Sequence, residues 1–317
     1  MIPTPVFLIS LPRSGSTWIQ RELVRFDPIY SLPEPWYLLP LTYLNRVEQT
    51  FTPYSSLTYS RALKELKIRG VDTQGIFDRA IVAASKEVIS SLNADCRYFL
   101  DKTPRYAHIS GDLMRLFPDA KFIFLWRDPV DVATSIMSTW GGGLDTLFKY
   151  DIDFIDGLRE MSIVSQSSSE NVLNLTYEDF LAAPEDMIKD VMSFLDIDIE
   201  TSIVRPDAIV RDMLKSELVG DQTYTGAERV KDQLSRGNRK NIIRLMNRLP
   251  EEFWSFGRYS KQDCLDKIDS RTWKLKPIHD FISWVAAFSY RHNLYGFSNL
   301  FNKRREHELG GVNKMLD

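Results

Sequence analysis

The sequence predicts an α/β fold, a central parallel sheet flanked by helices in three layers, with a helical C-terminal segment after it. Three observations predict it. Four short runs, residues 6–11, 98–100, 122–126 and 172–175, are β-rich and apolar without alternation, the pattern of strands buried on both faces. Helical spacing fills the stretches between them, and strand, helix and strand in succession is the crossover that parallel pairing requires. From Arg205 onward strand patterning stops and helical patterning takes over.

In chain order, the first strand is followed by Trp18, Ile19, Leu23 and Phe26 at helical spacing. A second helix carries Ile76, Phe77, Ala80, Ile81, Ala84, Val88 and Leu92 behind Thr73 as the expected N-cap. After the third strand, Asp128-Pro129 supplies an N-cap and an N1 proline, Asp131 falls at N3, and Gly141-Gly142-Gly143 is the expected stop. Near the end, Ile278, Phe281, Ile282, Val285 and Phe288 form an apolar stripe beside Trp284, with Lys303-Arg304-Arg305 beyond it. The stripe reads as a helix docked on the core or as one lying on a membrane surface. These patterns give a domain over residues 1–250 and a helical extension, 251–317, packed on it.

Composition narrows the classes of function. The 317 residues suffice for a full hydrophobic core. Forty Lys+Arg against 43 Asp+Glu, a net charge of −3 and 44% apolar residues exclude a disordered chain, a collagen-like repeat and a basic nucleic-acid coat. Two cysteines, Cys96 and Cys264, lack metal-ligand spacing and suit a reducing compartment. No basic, apolar leader and no stretch of about 20 apolar residues is present, so a cytoplasmic protein is expected, touching a membrane only at its periphery. Oligomeric state is not legible, and a homo-oligomer stays open.

Residues 8–18, Leu-Ile-Ser-Leu-Pro-Arg-Ser-Gly-Ser-Thr-Trp, read as strand, tight loop and helix start, an arrangement that aims backbone N–H groups at an anion. Set against the P-loop pattern G-x-x-x-x-G-K-[ST], Ser10 stands for the first glycine, Gly15 for the second, Ser16 for the lysine and Thr17 for the hydroxyl residue. The missing lysine argues against ATP or GTP chemistry, in which it binds the β/γ-phosphates. Arg13 offers instead a planar cation able to bind two oxygens of a sulfate-like group. An ordinary strand-to-helix turn is the competing reading.

Pro-Arg-Ser-Gly-Ser-Thr resembles the 5′-phosphosulfate loop of sulfotransferases that use 3′-phosphoadenosine 5′-phosphosulfate (PAPS), in the bacterial, carbohydrate- and tyrosylprotein-like branch with arginine in that loop. The resemblance runs with gaps over roughly residues 5–245 and implies a P-loop-like fold, PAPS as sulfuryl donor, 3′-phosphoadenosine 5′-phosphate (PAP) as product and no metal. It implies that Arg13, Ser14, Gly15, Ser16 and Thr17 cradle the 5′ end of the nucleotide. Arg127, after the third strand, and Ser135, eight residues on, are similar to the family's 3′-phosphate site. Pairing of Arg127 with Asp128 or Asp131 is the plain alternative. Thr176-Tyr177-Glu178-Asp179 looks like the segment whose tyrosine meets adenine, and Trp18 is placed to stack on the same ring, although both are also ordinary core aromatics.

Residues 229–248 hold seven Lys/Arg and one acid, Asp232, a local +6. Arg236-Gly237 there resembles the family's basic segment over the 3′-phosphate, and Ser235 stands for a serine that some members place near the sulfuryl group. A solvated basic face and a nucleic-acid patch are the alternatives. For the chemistry, Lys102 in Leu-Asp-Lys-Thr-Pro resembles the catalytic lysine, with an Asp101 ion pair as the plain reading. Glu34, between Pro33 and Pro35 on stiff extended backbone, matches the spacing of the glutamate base. His108, six residues after Lys102, is the other base to consider. Trp36, Tyr37, Tyr43, Phe51, Tyr54 and Tyr59 form an aromatic insertion suited to a sugar or to core packing. The expected activity is sulfuryl transfer to a hydroxyl, with a carbohydrate or glycoconjugate acceptor favoured over a tyrosyl, lipid or small-molecule hydroxyl. A P-loop kinase and a non-catalytic scaffold are the competing classes.

Overall fold

β1 (Thr4–Ser10) runs through the middle of a five-stranded sheet of order β2-β3-β1-β4-β5, with β2 (Ile29–Ser31), β3 (Tyr98–Asp101), β4 (Lys121–Trp126) and β5 (Val172–Thr176). Every pairing among the described strands is parallel: Thr4 faces Tyr98, Val6 faces Lys121, Ile29 faces Tyr98 and Phe122 faces Val172. The computed structural model describes residues 2–44, 56–92, 95–140, 147–167, 169–215 and 235–271, with single positions between 273 and 288. Their contacts group them into two compact units. One is drawn from residues 1–127, 156–224 and 251–256, the other from 128–155, 225–250 and 257–317.

The first unit contains the sheet. Alternation along β1 splits its residues between two apolar layers. Val6 and Leu8 join Leu100, Ile123 and Leu125 with Ile19 and Leu23 of α1 (Ser16–Leu23), and with Val191 and Met192. Phe7 packs against the rings of Tyr106, Phe117 and Phe122 at centroid distances of 6.3, 5.4 and 5.4 Å. Burial on both sides explains the unbroken apolar runs. The four expected strands are present, with bounds shifted by one or two residues. β2 is an addition: three residues between Pro28 and Pro33 are too few to show a pattern. The helix Thr73–Ser91 begins one residue off expectation, because Asp72 and not Thr73 is its N-cap, its Oδ1 accepting the Gly75 N–H at 2.9 Å.

In the second unit the helix Pro129–Thr139 starts as the sequence predicts, with Asp128 Oδ1 accepting the Val130 N–H at 2.8 Å. Lys267 then donates to Asp128 and Asp131 at 2.7 and 2.8 Å, and Arg271 bonds Asp131. The helix Lys261–Ser270, which carries Lys267, is thereby clamped to the first turn of Pro129–Thr139. Ile278, Phe281, Trp284 and Phe288 are exposed, and the last three rings stack in series. Gly141-Gly142-Gly143, Ile282, Lys303-Arg304-Arg305, Phe51, Tyr54 and Asp232 lie outside the described residues. Among the described residues no helix is long and apolar enough to cross a membrane.

Candidate active site

The loop from β1 to α1 sits in the first unit and turns twice through the left-handed region, at Arg13 (φ 68°) and at Gly15 (φ 94°). Ser14 N–H closes it on the Leu11 carbonyl at 3.3 Å, and Ser14 and Ser16 are buried. Gly15 is required there on two counts. A left-handed φ suits glycine, and a Cβ at Gly15 would lie 2.3 Å from Tyr177 Cδ2. Ser16 and Thr17 open α1, so their N–H groups belong to a first turn with no carbonyl one turn back to accept them, and no acidic side chain occupies that turn. Free N–H groups at such a turn suit an anion.

β4 ends at Trp126 and delivers Arg127 to the same loop. Its guanidinium donates to the Arg13 carbonyl at 2.9 Å and lies 4.2 Å from the Tyr177 ring centroid. Arg127 Nε is buried and has no hydrogen-bond partner among the described residues. Burial, and then the proximity of Arg127, hold the Arg13 guanidinium below its ordinary pKa. Two guanidinium groups this close, one with an orphaned buried donor, favour a multiply charged anion. Trp18 meets Tyr177 and Phe180 edge-on, at centroid distances of 6.0 and 4.9 Å.

Glu34 and Lys102 form the second half of the site. Lys102 Nζ donates to Glu34 Oε1 at 2.7 Å and to Thr17 Oγ1 at 3.4 Å, which ties the pair to the anion loop. Lys102 is almost wholly buried, and desolvation lowers its pKa against the opposing pull of Glu34. The Trp36 indole N–H donates to Glu34 Oε2 at 3.1 Å. Gln20, buried in α1, donates to Ser31 Oγ at 2.7 Å and to the Leu32 carbonyl at 2.8 Å, fixing the start of the Leu-Pro-Glu-Pro segment against the sheet.

The first unit therefore brings together Arg13, Ser14, Gly15, Ser16, Thr17, Trp18, Glu34, Lys102, Arg127 and Tyr177. Ser135, Ser235, Arg236 and Gly237 belong to the second unit. There Ser235 is a buried N-cap, sharing a capping box with Asn238, and the Gly237 N–H donates to Asp280 at 3.1 Å. His108 is buried in a 3₁₀ turn, Pro104–Ile109. Trp36 and Asp101, which the sequence offered only as an aromatic suited to a sugar and as an ion-pair partner for Lys102, bond Glu34 and the hydroxyls of Thr103 and Tyr106, respectively. Gln20, Ser31, Thr103 and Tyr106 take part unannounced by the sequence. Of these four, the clustering of hydroxyl and carboxyl groups in Leu-Asp-Lys-Thr-Pro-Arg-Tyr signalled Thr103 and Tyr106 alone. Among the described residues no group of three His, Cys, Asp or Glu is placed to hold a metal.

A parallel α/β sheet carries a lysine-less loop at the end of its central strand and a carboxylate–ammonium pair against that loop, an arrangement that suits an anionic ligand. The chain belongs to the sulfotransferase family: the model described as "Sulfotransferase family" matches residues 5–201. The nodulation protein NoeE of Sinorhizobium fredii is 32% identical over 146 residues, 44% of this chain and 32% of its own length. The chain thus spans about a third of that relative. Among solved structures, the sulfotransferase domain from the curacin biosynthetic pathway is 18% identical, with 86% of this chain and 99% of that one covered and a TM-score of 0.45. A sulfotransferase from Alicyclobacillus acidocaldarius is 13% identical, with 85% and 96% covered and the same TM-score, 0.45.

Proposed function

We propose that this protein transfers the sulfuryl group of PAPS to a hydroxyl of a carbohydrate or glycoconjugate acceptor, with PAP as the second product. The observation that carries the reading is the Glu34–Lys102 pair joined through Thr17 to the anion loop. The residues suit the nucleotide. Arg127 Nε is a buried donor in need of an acceptor, and Gly15 leaves the loop backbone bare of a Cβ. When bound, PAPS supplies an activated sulfuryl group on a phosphate leaving group. In this reading Arg13 and the N–H groups of Ser16 and Thr17 hold the 5′ end and Arg127 the 3′-phosphate, with Tyr177 and Trp18 toward the base.

Glu34 takes the proton of the acceptor hydroxyl. Lys102, already oriented by Glu34, offers its ammonium to the oxygens on which negative charge gathers. The acceptor class rests on Trp36. Tyr37 and Tyr59 spend their hydroxyls on Ser85 and on the Leu44 carbonyl, whereas the Trp36 indole is 39% exposed and bonded to the base itself. A flat aromatic face beside the base suits the C–H face of a sugar ring.

The test is a screen of sugars, tyrosyl peptides, lipids and phenols with labelled PAPS, run on the parent protein and on Glu34→Gln. Transfer to a sugar, reduced about 10²- to 10⁴-fold in the variant while PAP affinity is unchanged, is expected. Transfer to another hydroxyl alone replaces the acceptor, and undiminished turnover in the variant removes Glu34. Magnesium-dependent transfer from ATP in place of PAPS overturns the reading in favour of a kinase.

A further inference from the structure

We propose that Asp101 is a positioning residue, whose buried carboxylate fixes, through the hydroxyls of Thr103 and Tyr106, the backbone of the segment that carries Glu34. Its consequence for turnover rests on the reading of Glu34 as the base; the positioning itself does not.

Asp101 is the last residue of β3 and is 1% exposed. Its Oδ1 accepts the Thr103 hydroxyl at 3.1 Å and its Oδ2 the Tyr106 hydroxyl at 3.2 Å. Each hydroxyl has one proton, and in both cases the carboxylate takes it, so the lone pairs are left facing elsewhere. Thr103 Oγ1 accepts the Trp36 N–H and Tyr106 Oη accepts the Leu38 N–H, each at 3.4 Å. One carboxylate thus orients two hydroxyls that hold two amides just beyond Glu34.

The segment held in this way needs holding. Trp36 has a φ of 57°, a left-handed conformation that a bulky residue keeps only where its surroundings over-determine it. The amide bond to Thr103 and the indole bond to Glu34 are two such determinants. Adjacent residues of one strand end therefore hold a single loop in two ways. Lys102 binds the Glu34 carboxylate, and Asp101 binds the backbone that follows it. Burial pushes the Asp101 carboxyl up to about 7, against the pull of both hydroxyls and of Lys102. An apolar residue at this strand end would avoid that cost, which points to a use for the charge.

The experiment is site-resolved amide exchange of the nucleotide-free protein at pH 8, with turnover and PAP affinity measured in parallel. Asp101→Asn presents one acceptor where two are needed. It should speed exchange at both Trp36 and Leu38 by about tenfold or more, the equivalent of one ordinary hydrogen bond. Thr103→Val should release the Trp36 amide alone and Tyr106→Phe the Leu38 amide alone. These two variants also carry the test if Asp101→Asn does not fold. Turnover should fall with PAP affinity unchanged. Unaltered exchange at both amides, or faster exchange spread evenly along β3 and its neighbours, overturns the proposal. Absence of sulfuryl transfer in the parent protein would end the proposed function and leave the exchange result to decide Asp101 by itself.

Discussion

Replacing Gly15 by alanine tests the anion loop at its tightest point. Two costs add. The left-handed backbone at Gly15 costs an L-residue roughly 1–2 kcal/mol. The new Cβ would also meet Tyr177 Cδ2 at 2.3 Å and Cε2 at 2.4 Å, more than 1 Å inside ordinary contact. The ring cannot simply withdraw, because Trp18 lies edge-on to it and the Arg127 guanidinium covers it. Forced overpacking of this kind costs about 1–3 kcal/mol, so Gly15→Ala should lose about 2–5 kcal/mol in all. Chemical denaturation would show the lowered midpoint, and calorimetric titration should show PAP binding weakened by about tenfold or more as the loop and Arg127 shift. Adding Tyr177→Ala should return the clash part of the loss and leave the backbone part. A midpoint equal to that of the parent protein, or no relief from Tyr177→Ala, would refute the packing argument.

Three further outcomes are expected. Arg127→Ala should weaken PAP by about 10- to 150-fold, the worth of a charge-assisted hydrogen bond of about 1.5–3 kcal/mol, with AMP little affected; calorimetry of both nucleotides reads it. Lys102→Met leaves Glu34 without its ammonium partner and should destabilise the fold by about 3–5 kcal/mol, less when Glu34→Gln is added, as a double-mutant cycle by denaturation will report. For Asp101, a folded pKa of about 7 against an ordinary value of 3.8 means that the native state binds more protons than the unfolded state between those limits. Stability should therefore fall as pH rises from 4 to 7, by at most about 4 kcal/mol relative to Asp101→Asn. A flat difference between the two proteins across that range would show Asp101 ionised throughout.

The parts of the fold that local physics dictates were legible in the sequence. Strands covered on both faces show as unbroken apolar runs, and the Asp128-Pro129 helix start needs nothing beyond its own four residues. What tertiary contact decides was not. β2 has three residues and owes its place to Ser31, which takes Gln20 on one side and donates to the Leu100 carbonyl on the other. The nearest acid to Lys102 in sequence is Asp101, yet the ion pair is with Glu34, because successive residues at a strand end point to opposite faces. In the same way Asp128 looked like a partner for its neighbour Arg127, while its carboxylate meets Lys267, 139 residues further along the chain.

The central position of β1 has a consequence for synthesis. Val6, Phe7, Leu8 and Ile9 are at most 1% exposed once the sheet is complete, but neither strand that covers their edges exists when they are made. β3 follows only at Tyr98 and β4 at Lys121, so at translation rates of about 5–20 residues per second the run waits on the order of ten seconds for its neighbours. During that interval it is an uncharged, β-prone segment with both edges open, the kind that pairs with another copy of itself. A strand whose core is covered on both faces and both edges in the finished protein is thus bare while nascent, and slower elongation between Ile9 and Trp126 is expected to lower soluble yield.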